Sequence, residues 1–191
     1  MKKIILASTS PRRKDLLRQV LGKNFKIVSS SYEEDNTLKF SPKKLALIHS
    51  HGKAEAVARK LSEGVVIGSD TFVWYEGFLG KPHNIANATK MLRRISGKVV
   101  KVYSGVTVID AKSGKEFSEV EITRVKMKKL SNKEISNYIK ADNPLDVAGA
   151  FRIQGLGVLL IEKINGCYTN VVGLPLPLLQ KLLNKLGVKL F

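Results

Sequence analysis

Four apolar residues, Ile4-Ile5-Leu6-Ala7, run directly into Ser8-Thr9-Ser10-Pro11-Arg12-Arg13, and a helical pattern follows at once in Lys14-Asp15-Leu16-Leu17-Arg18-Gln19-Val20-Leu21. That order predicts a strand, a tight turn and a helix start. Ser10 suits the N-cap, where its hydroxyl can accept from the free N–H groups of the first turn. Pro11 suits the first helical position, where a missing N–H does no harm. Arg12 and Arg13 then fall in the first turn, against the positive end of the helix dipole. A bound anion explains two cations in so unfavourable a place. First-turn N–H groups, the Ser8 and Ser10 hydroxyls and two guanidinium forks together suit a phosphate chain. Solvated arginines at a helix start are as common, so this stretch alone weighs the two readings evenly.

The rest of the composition narrows the class. A chain of 191 residues with 43% hydrophobic content can build a core, and it is expected to form one domain, residues 1–191, with room for two lobes. No apolar run approaches the roughly 20 residues needed to span a bilayer. The N-terminal apolar run is too short for a signal peptide and meets Pro-Arg-Arg, so a cytoplasmic protein is expected. Cys167 is the only cysteine, which excludes an internal disulfide. It reads as a small buried or half-buried residue rather than a catalytic thiol. His49, His51 and His83 show no zinc-ligand spacing with it. The net charge of +17 attracts polyanions. Its lysines and arginines are spread along the chain, however, and no closely spaced aromatics sit on a basic strand pair. A general positive field follows, but no dedicated nucleic-acid face.

Strand and helix patterns alternate in the first half. Ile4–Ala7 and Phe25–Ser29 read as strands and Pro11–Leu21 as a helix. Ser41-Pro42 repeats the cap-then-proline signal and opens a helix to about Leu61. Val65-Val66-Ile67 reads as a buried strand, Phe72–Leu79 as a hairpin turning at Glu76-Gly77, and Asn84–Ile95 as a helix. Val99–Asp110 and Lys115–Leu130 then flank a turn at Ser113-Gly114. Ser131 and Glu134 form a capping box that starts a helix to about Ala141. Leu156–Ile164 reads as a strand. Leu178–Leu186 is an amphipathic last helix, which could bury against its own domain or a second copy in a homodimer. The pattern is that of an α/β or α+β domain.

Several residues could carry chemistry. Asp70, in Gly68-Ser69-Asp70-Thr71, follows the Val65–Ile67 strand, where open α/β sheets place their sites. It could hold a cation or take a proton from water; an Asx turn is the ordinary alternative. Glu33-Glu34-Asp35 is an acidic cluster in a basic chain, suited to Mg²⁺ or to a solvated loop. Lys81, between Gly80 and Pro82, could aim an ammonium at phosphate, and Lys53 could do the same. Gln154 could read a base edge with its amide. Asn170 reads best as a turn-shaping residue.

Taken in order, Ser-x-Ser-Pro-Arg-Arg, Glu-Glu, Lys-Ala, Gly-Ser-Asp-Thr, Gly-Lys-Pro, Ser-Gly-Val-Thr, Ala-Gly-Ala-Phe-x-Ile-Gln-Gly and Asn-Val-Val-Gly-Leu-Pro resemble the Maf family of nucleoside triphosphate pyrophosphatases. The likeness runs from Ile4 to about Leu186. It implies an elongated mixed β-sheet with flanking helices, similar to the inosine triphosphate pyrophosphatases, with two lobes around a central cleft. It implies metal-dependent hydrolysis of a nucleoside triphosphate between the α and β phosphates, with Mg²⁺, Mn²⁺ or Co²⁺ as the cofactor. Asp70 matches the family's proposed proton acceptor and Glu33 an acidic position in its active site, and on that reading these two carboxylates hold the metal. Arg12, Arg13, Lys53 and Lys81 match its phosphate-contacting positions. Arg12, Thr71 and Gln154 match positions that mark the dTTP/UTP branch. The resemblance also implies clearance of non-standard nucleotides or a slowing of division. A purine triphosphate pyrophosphatase is the first alternative, and a non-catalytic basic nucleic-acid module the second. Three departures stand out: Val147 replaces a lysine, Asp142-Asn143-Pro144 replaces Gly-Glu-Pro, and Arg152 replaces a glycine.

Overall fold

The computed structural model describes residues 2–37 and 39–190. It contains β1 (Ile4–Leu6), α1 (Pro11–Leu21), β2 (Lys26–Ile27), α2 (Pro42–Ala58), β3 (Val65–Trp74), β4 (Phe78–Leu79), α3 (Ile85–Ile95), β5 (Val99–Asp110), β6 (Glu116–Met127), α4 (Asn132–Asp142), β7 (Ile161–Asn165), α5 (Tyr168–Val172) and α6 (Leu176–Lys185). One seven-stranded mixed sheet runs in the order β2-β1-β3-β5-β6-β7, with β4 on β3. β1 pairs in parallel with both β2 and β3, whereas β4 and β7 pair antiparallel with β3 and β6.

Local chemistry explains most helix starts. The Ser41 hydroxyl accepts from the Lys44 N–H, and Pro42 opens α2. Asn84 accepts from the Asn87 N–H at the start of α3. Both halves of the Ser131–Glu134 capping box are formed. The cap expected of Ser10 is not formed. Ser10 occupies the N-cap position of α1, but its hydroxyl caps no N–H. Its own N–H instead donates to Ser8 Oγ at 3.2 Å, so a serine turn leads into the helix. Two further readings are corrected. Leu156–Leu160 is a 3₁₀ segment, and the strand starts only at Ile161. A short apolar run has no period that separates these two states. The Val65–Ile67 strand and the first hairpin arm are one strand, β3, which turns at Glu76 and Gly77, both with positive φ.

The chain forms two compact units. The first comprises the chain up to Thr71, Ser104–Glu121, and the chain from Gly173 onward; the second comprises Phe72–Tyr103 and Ile122–Val172. In the first unit Ile5, Ala7, Ala54, Val57, Val66 and Ile109 pack into a core between α2 and the sheet. In the second, Leu92 and Ile95 of α3 and Ile135 and Ile139 of α4 pack with Val100, Val102, Val125 and Met127. Among the described residues no helix is long and apolar enough to cross a membrane.

Two glycines let α2 lie unusually close to the sheet of the first unit. A Cβ on Gly68 of β3 would stand 2.2 Å from the Ser50 carbonyl oxygen, and one on Gly105 of β5 would stand 2.0 Å from that of Ala46. Neither leaves room for any other side chain. This close approach fixes how deep Lys53, one turn further along α2, sits against Asp70.

Candidate active site

The centre of the first unit is an ion pair. Lys53 Nζ donates to Asp70 Oδ1 at 2.7 Å, and the two side chains are only 11% and 7% exposed. The same ammonium meets Glu34 Oε1 at 2.5 Å. Burial alone would raise the Asp70 pKa. Lys53, then Arg13, and more weakly His49 outweigh it, so the carboxyl is held below its ordinary value and stays ionised. A buried charge of this kind needs its partner, because an unpaired carboxylate would neutralise instead.

Arg13, half-buried in the first turn of α1, is fixed at three points. Its Nε donates to the Gly173 carbonyl at 3.0 Å, Nη1 to Ser8 Oγ at 3.3 Å and Nη2 to Thr71 Oγ1 at 3.4 Å. Burial lowers its pKa, while Asp70 and Glu34 oppose that shift. A guanidinium stays protonated regardless. Thr71 completes the frame. Its hydroxyl donates to the Gly173 carbonyl at 3.0 Å and accepts from Arg13 and from Ser104, whose Oγ lies 2.7 Å away. One proton and two lone pairs are thereby used up. Thr71, at a position that marks the dTTP/UTP branch, holds the Arg13 guanidinium with this hydroxyl.

The other candidates divide by unit. Ser8, Ser10, Arg12 and Glu33 lie in the first unit with Lys53 and Asp70, whereas Lys81 and Gln154 belong to the second, where both are exposed. Arg12 is half-buried in the first turn of α1. The acidic residue on Lys53 is Glu34; it and Glu33, the one favoured from sequence, are both exposed. Residues 28–35 form neither helix nor strand. In an extended stretch, alternate side chains share a side. Tyr32 and Glu34 share one, and Tyr32 bonds to His49 of α2.

The departures also find places. Arg152 Nη2 donates to Asp146 Oδ1 at 3.1 Å, so its charge is paired. Its N–H donates to the Tyr138 hydroxyl at 3.0 Å. Asn143 ends α4 in the left-handed conformation and Val147 is buried. Asn170, expected to shape the turn into the last helix, is fully buried and instead donates to the Val102 carbonyl and Thr123 Oγ1 on two strands. Cys167 is partly buried, with its Sγ 3.1 Å from Thr169 Oγ1.

Asp70 and Glu34 offer hard oxygen donors. Among the described residues no group of three His, Cys, Asp or Glu side chains comes together. The pair therefore suits a divalent ion that brings further oxygen ligands with it, as Mg²⁺ does when bound through one or two carboxylates and phosphate.

The first unit thus defines an α/β protein that arranges two fixed cations around one buried, ionised carboxylate. The chain belongs to the Maf-like protein family, whose sequence profile matches residues 3–186. It is 50% identical to a dTTP/UTP pyrophosphatase of Methanosarcina barkeri, with all of this chain aligned to 98% of that one. It is 47% identical to a dTTP/UTP pyrophosphatase of Methanococcoides burtonii over the same shares. A dITP/XTP pyrophosphatase structure from Mycobacterium abscessus superposes with a TM-score of 0.43 at 19% identity, covering 67% of this chain and 75% of that one. So loose a likeness adds nothing to the argument.

Proposed function

We propose that this chain hydrolyses nucleoside triphosphates, dTTP and UTP foremost, to the monophosphate and pyrophosphate. The observation that carries this reading is the Asp70–Lys53–Glu34 cluster beside the anchored Arg13. It pairs a carboxylate that stays charged with cations suited to phosphate oxygens. The similarity to dTTP/UTP pyrophosphatases supplies the substrate class.

In this reading Arg13, pre-set by Ser8, Thr71 and Gly173, receives phosphate oxygens without reorganising, and Arg12 adds charge in the same turn. Lys53 shares its protons between Asp70 and incoming phosphate. Asp70 orients a water molecule and takes its proton as the water oxygen bonds to the α-phosphorus. The bond from that phosphorus to the bridging oxygen breaks, and pyrophosphate leaves with the bonding pair. Asp70 is a weak base because its pKa is held low. A divalent ion held by Asp70 and Glu34 would supply the remaining activation, lowering the pKa of water and neutralising the leaving group. We also propose that Lys81 adds phosphate-binding charge and that Gln154 sets base preference.

The test is pyrophosphate release from a panel of pyrimidine and purine triphosphates with Mg²⁺, Mn²⁺ and Co²⁺. Wild-type protein should turn over dTTP and UTP best. Asp70→Asn should lose about 10²- to 10⁴-fold in kcat, the range for removing a general base, and still bind nucleotide. Near-normal turnover in Asp70→Asn would remove that residue from the chemistry, and no pyrophosphate from any substrate would overturn the assignment.

A further inference from the structure

Glu34 sits on a stretch that has no secondary structure of its own, yet it meets Lys53 at 2.5 Å. Something outside the loop must set that register. Two residues earlier, the Tyr32 hydroxyl lies 2.9 Å from His49 Nδ1, and the two rings are inclined at 56° with centroids 5.8 Å apart. His49 stands one turn before Lys53 on α2 and is fully buried. Its Nε2 has no hydrogen-bond partner among the described residues, so Tyr32 is the group that satisfies this ring.

The spacing is a match of two periods. An extended chain repeats its side every two residues, about 6.8 Å. A helix returns to nearly the same face after four residues, about 6 Å. Tyr32 on His49 and Glu34 on Lys53 are therefore two rungs, two residues apart on the one segment and four apart on α2. The helix is shaped for the first rung. A Cβ on Gly52 would stand 2.3 Å from the Tyr32 ring, so the ring lies flush on bare backbone. Glycine inside a helix is otherwise unfavourable. Burial, and then the charges of Asp70 and Glu34, push the Tyr32 phenol above its ordinary pKa, so it keeps its proton.

We propose that Tyr32 and His49 are positioning residues for the hydrolytic site, their bond and the ring's seat on Gly52 setting where Glu34 meets Lys53. The inference rests on the role given to Glu34 under Proposed function. Tyr32→Phe keeps the ring on Gly52 and deletes only the hydroxyl. It should lower kcat by about two- to tenfold, the rate equivalent of one hydrogen bond. The same change in a Glu34→Gln background should lower kcat no further, because the carboxylate it positions is gone. An equal loss in both backgrounds, or none in the wild-type background, overturns the proposal. Wild-type kcat in Glu34→Gln alone defeats the role of Glu34 itself, and this proposal with it, before Tyr32 is tested. Gly52→Ala gives a second reading. The ring must swing away while the helix gains propensity, so kcat should fall as Tm holds or rises. A drop in both would mark a packing defect and count against the pair.

Discussion

Arg13 Nε donates to the carbonyl oxygen of Gly173 at 3.0 Å, although 160 residues separate them. The same oxygen accepts the Thr71 proton at 3.0 Å, so both of its lone pairs are used. Gly173 has φ of 133°, a conformation other residues rarely adopt, and nothing lies where a Cβ would go. The arginine is thus held by backbone and by two hydroxyls, with no carboxylate neutralising it at these contacts. That leaves its charge for a ligand.

Thr71→Val tests this frame. It keeps the shape and removes the hydroxyl that links Arg13, Ser104 and Gly173. Losing one partner of a buried hydrogen-bonded set costs about 1–3 kcal/mol. We expect a lower urea midpoint and a raised KM for nucleotide, with Thr71→Ser restoring both. If Thr71 instead reads the base, the KM change will fall on one base class only.

The pH dependence of stability has a defined sign. Burial raises the Asp70 pKa, but Lys53, Arg13 and His49 more than offset it, so the folded value lies below the ordinary 3.8. Its stabilising contribution is therefore complete above the unfolded pKa and is lost as pH falls through the folded one. Urea unfolding of wild-type and Asp70→Asn proteins should differ most near neutrality. The gap should close only below about pH 4, the ordinary aspartate range. A gap that closes between pH 6 and 8 would contradict this assignment.

Gly105→Ala probes the close approach of α2. The added Cβ would meet the Ala46 carbonyl oxygen at 2.0 Å and Ser50 Oγ at 2.7 Å. The first obstacle is helix backbone, so Ala46→Gly offers no relief. Overpacking of this sort costs about 1–3 kcal/mol. Because α2 also carries Lys53, thermal stability and kcat/KM should fall together. A loss of stability with unchanged turnover would separate the helix seat from the site.

Much of this was legible in the residues. Ser41-Pro42, Asn84 and Ser131 with Glu134 announced three helices, and Ile4–Ala7 into Pro11 announced the first strand–turn–helix. Asp70 stood out because it follows the apolar run Val65-Val66-Ile67, although the strand β3 continues through it to Trp74. Ser10 misled, since the serine that organises the turn is Ser8. Glu33 was favoured over Glu34 on the family resemblance, because residue type alone cannot tell neighbouring carboxylates apart. Tyr32 and His49 gave no signal, being separated in sequence and ordinary in type.

The sequence by itself determined where helices begin, which segments are apolar and which family the motifs resemble. These depend on hydrogen bonds and spacings within a turn or two, which any stretch carries with it. Only the tertiary structure decided which glutamate meets Lys53, what the Thr71 hydroxyl does and how Arg13 is held. Those contacts join segments far apart in the chain, which only packing brings together, and for Lys53 that packing is the close seat of α2 on glycines of two strands.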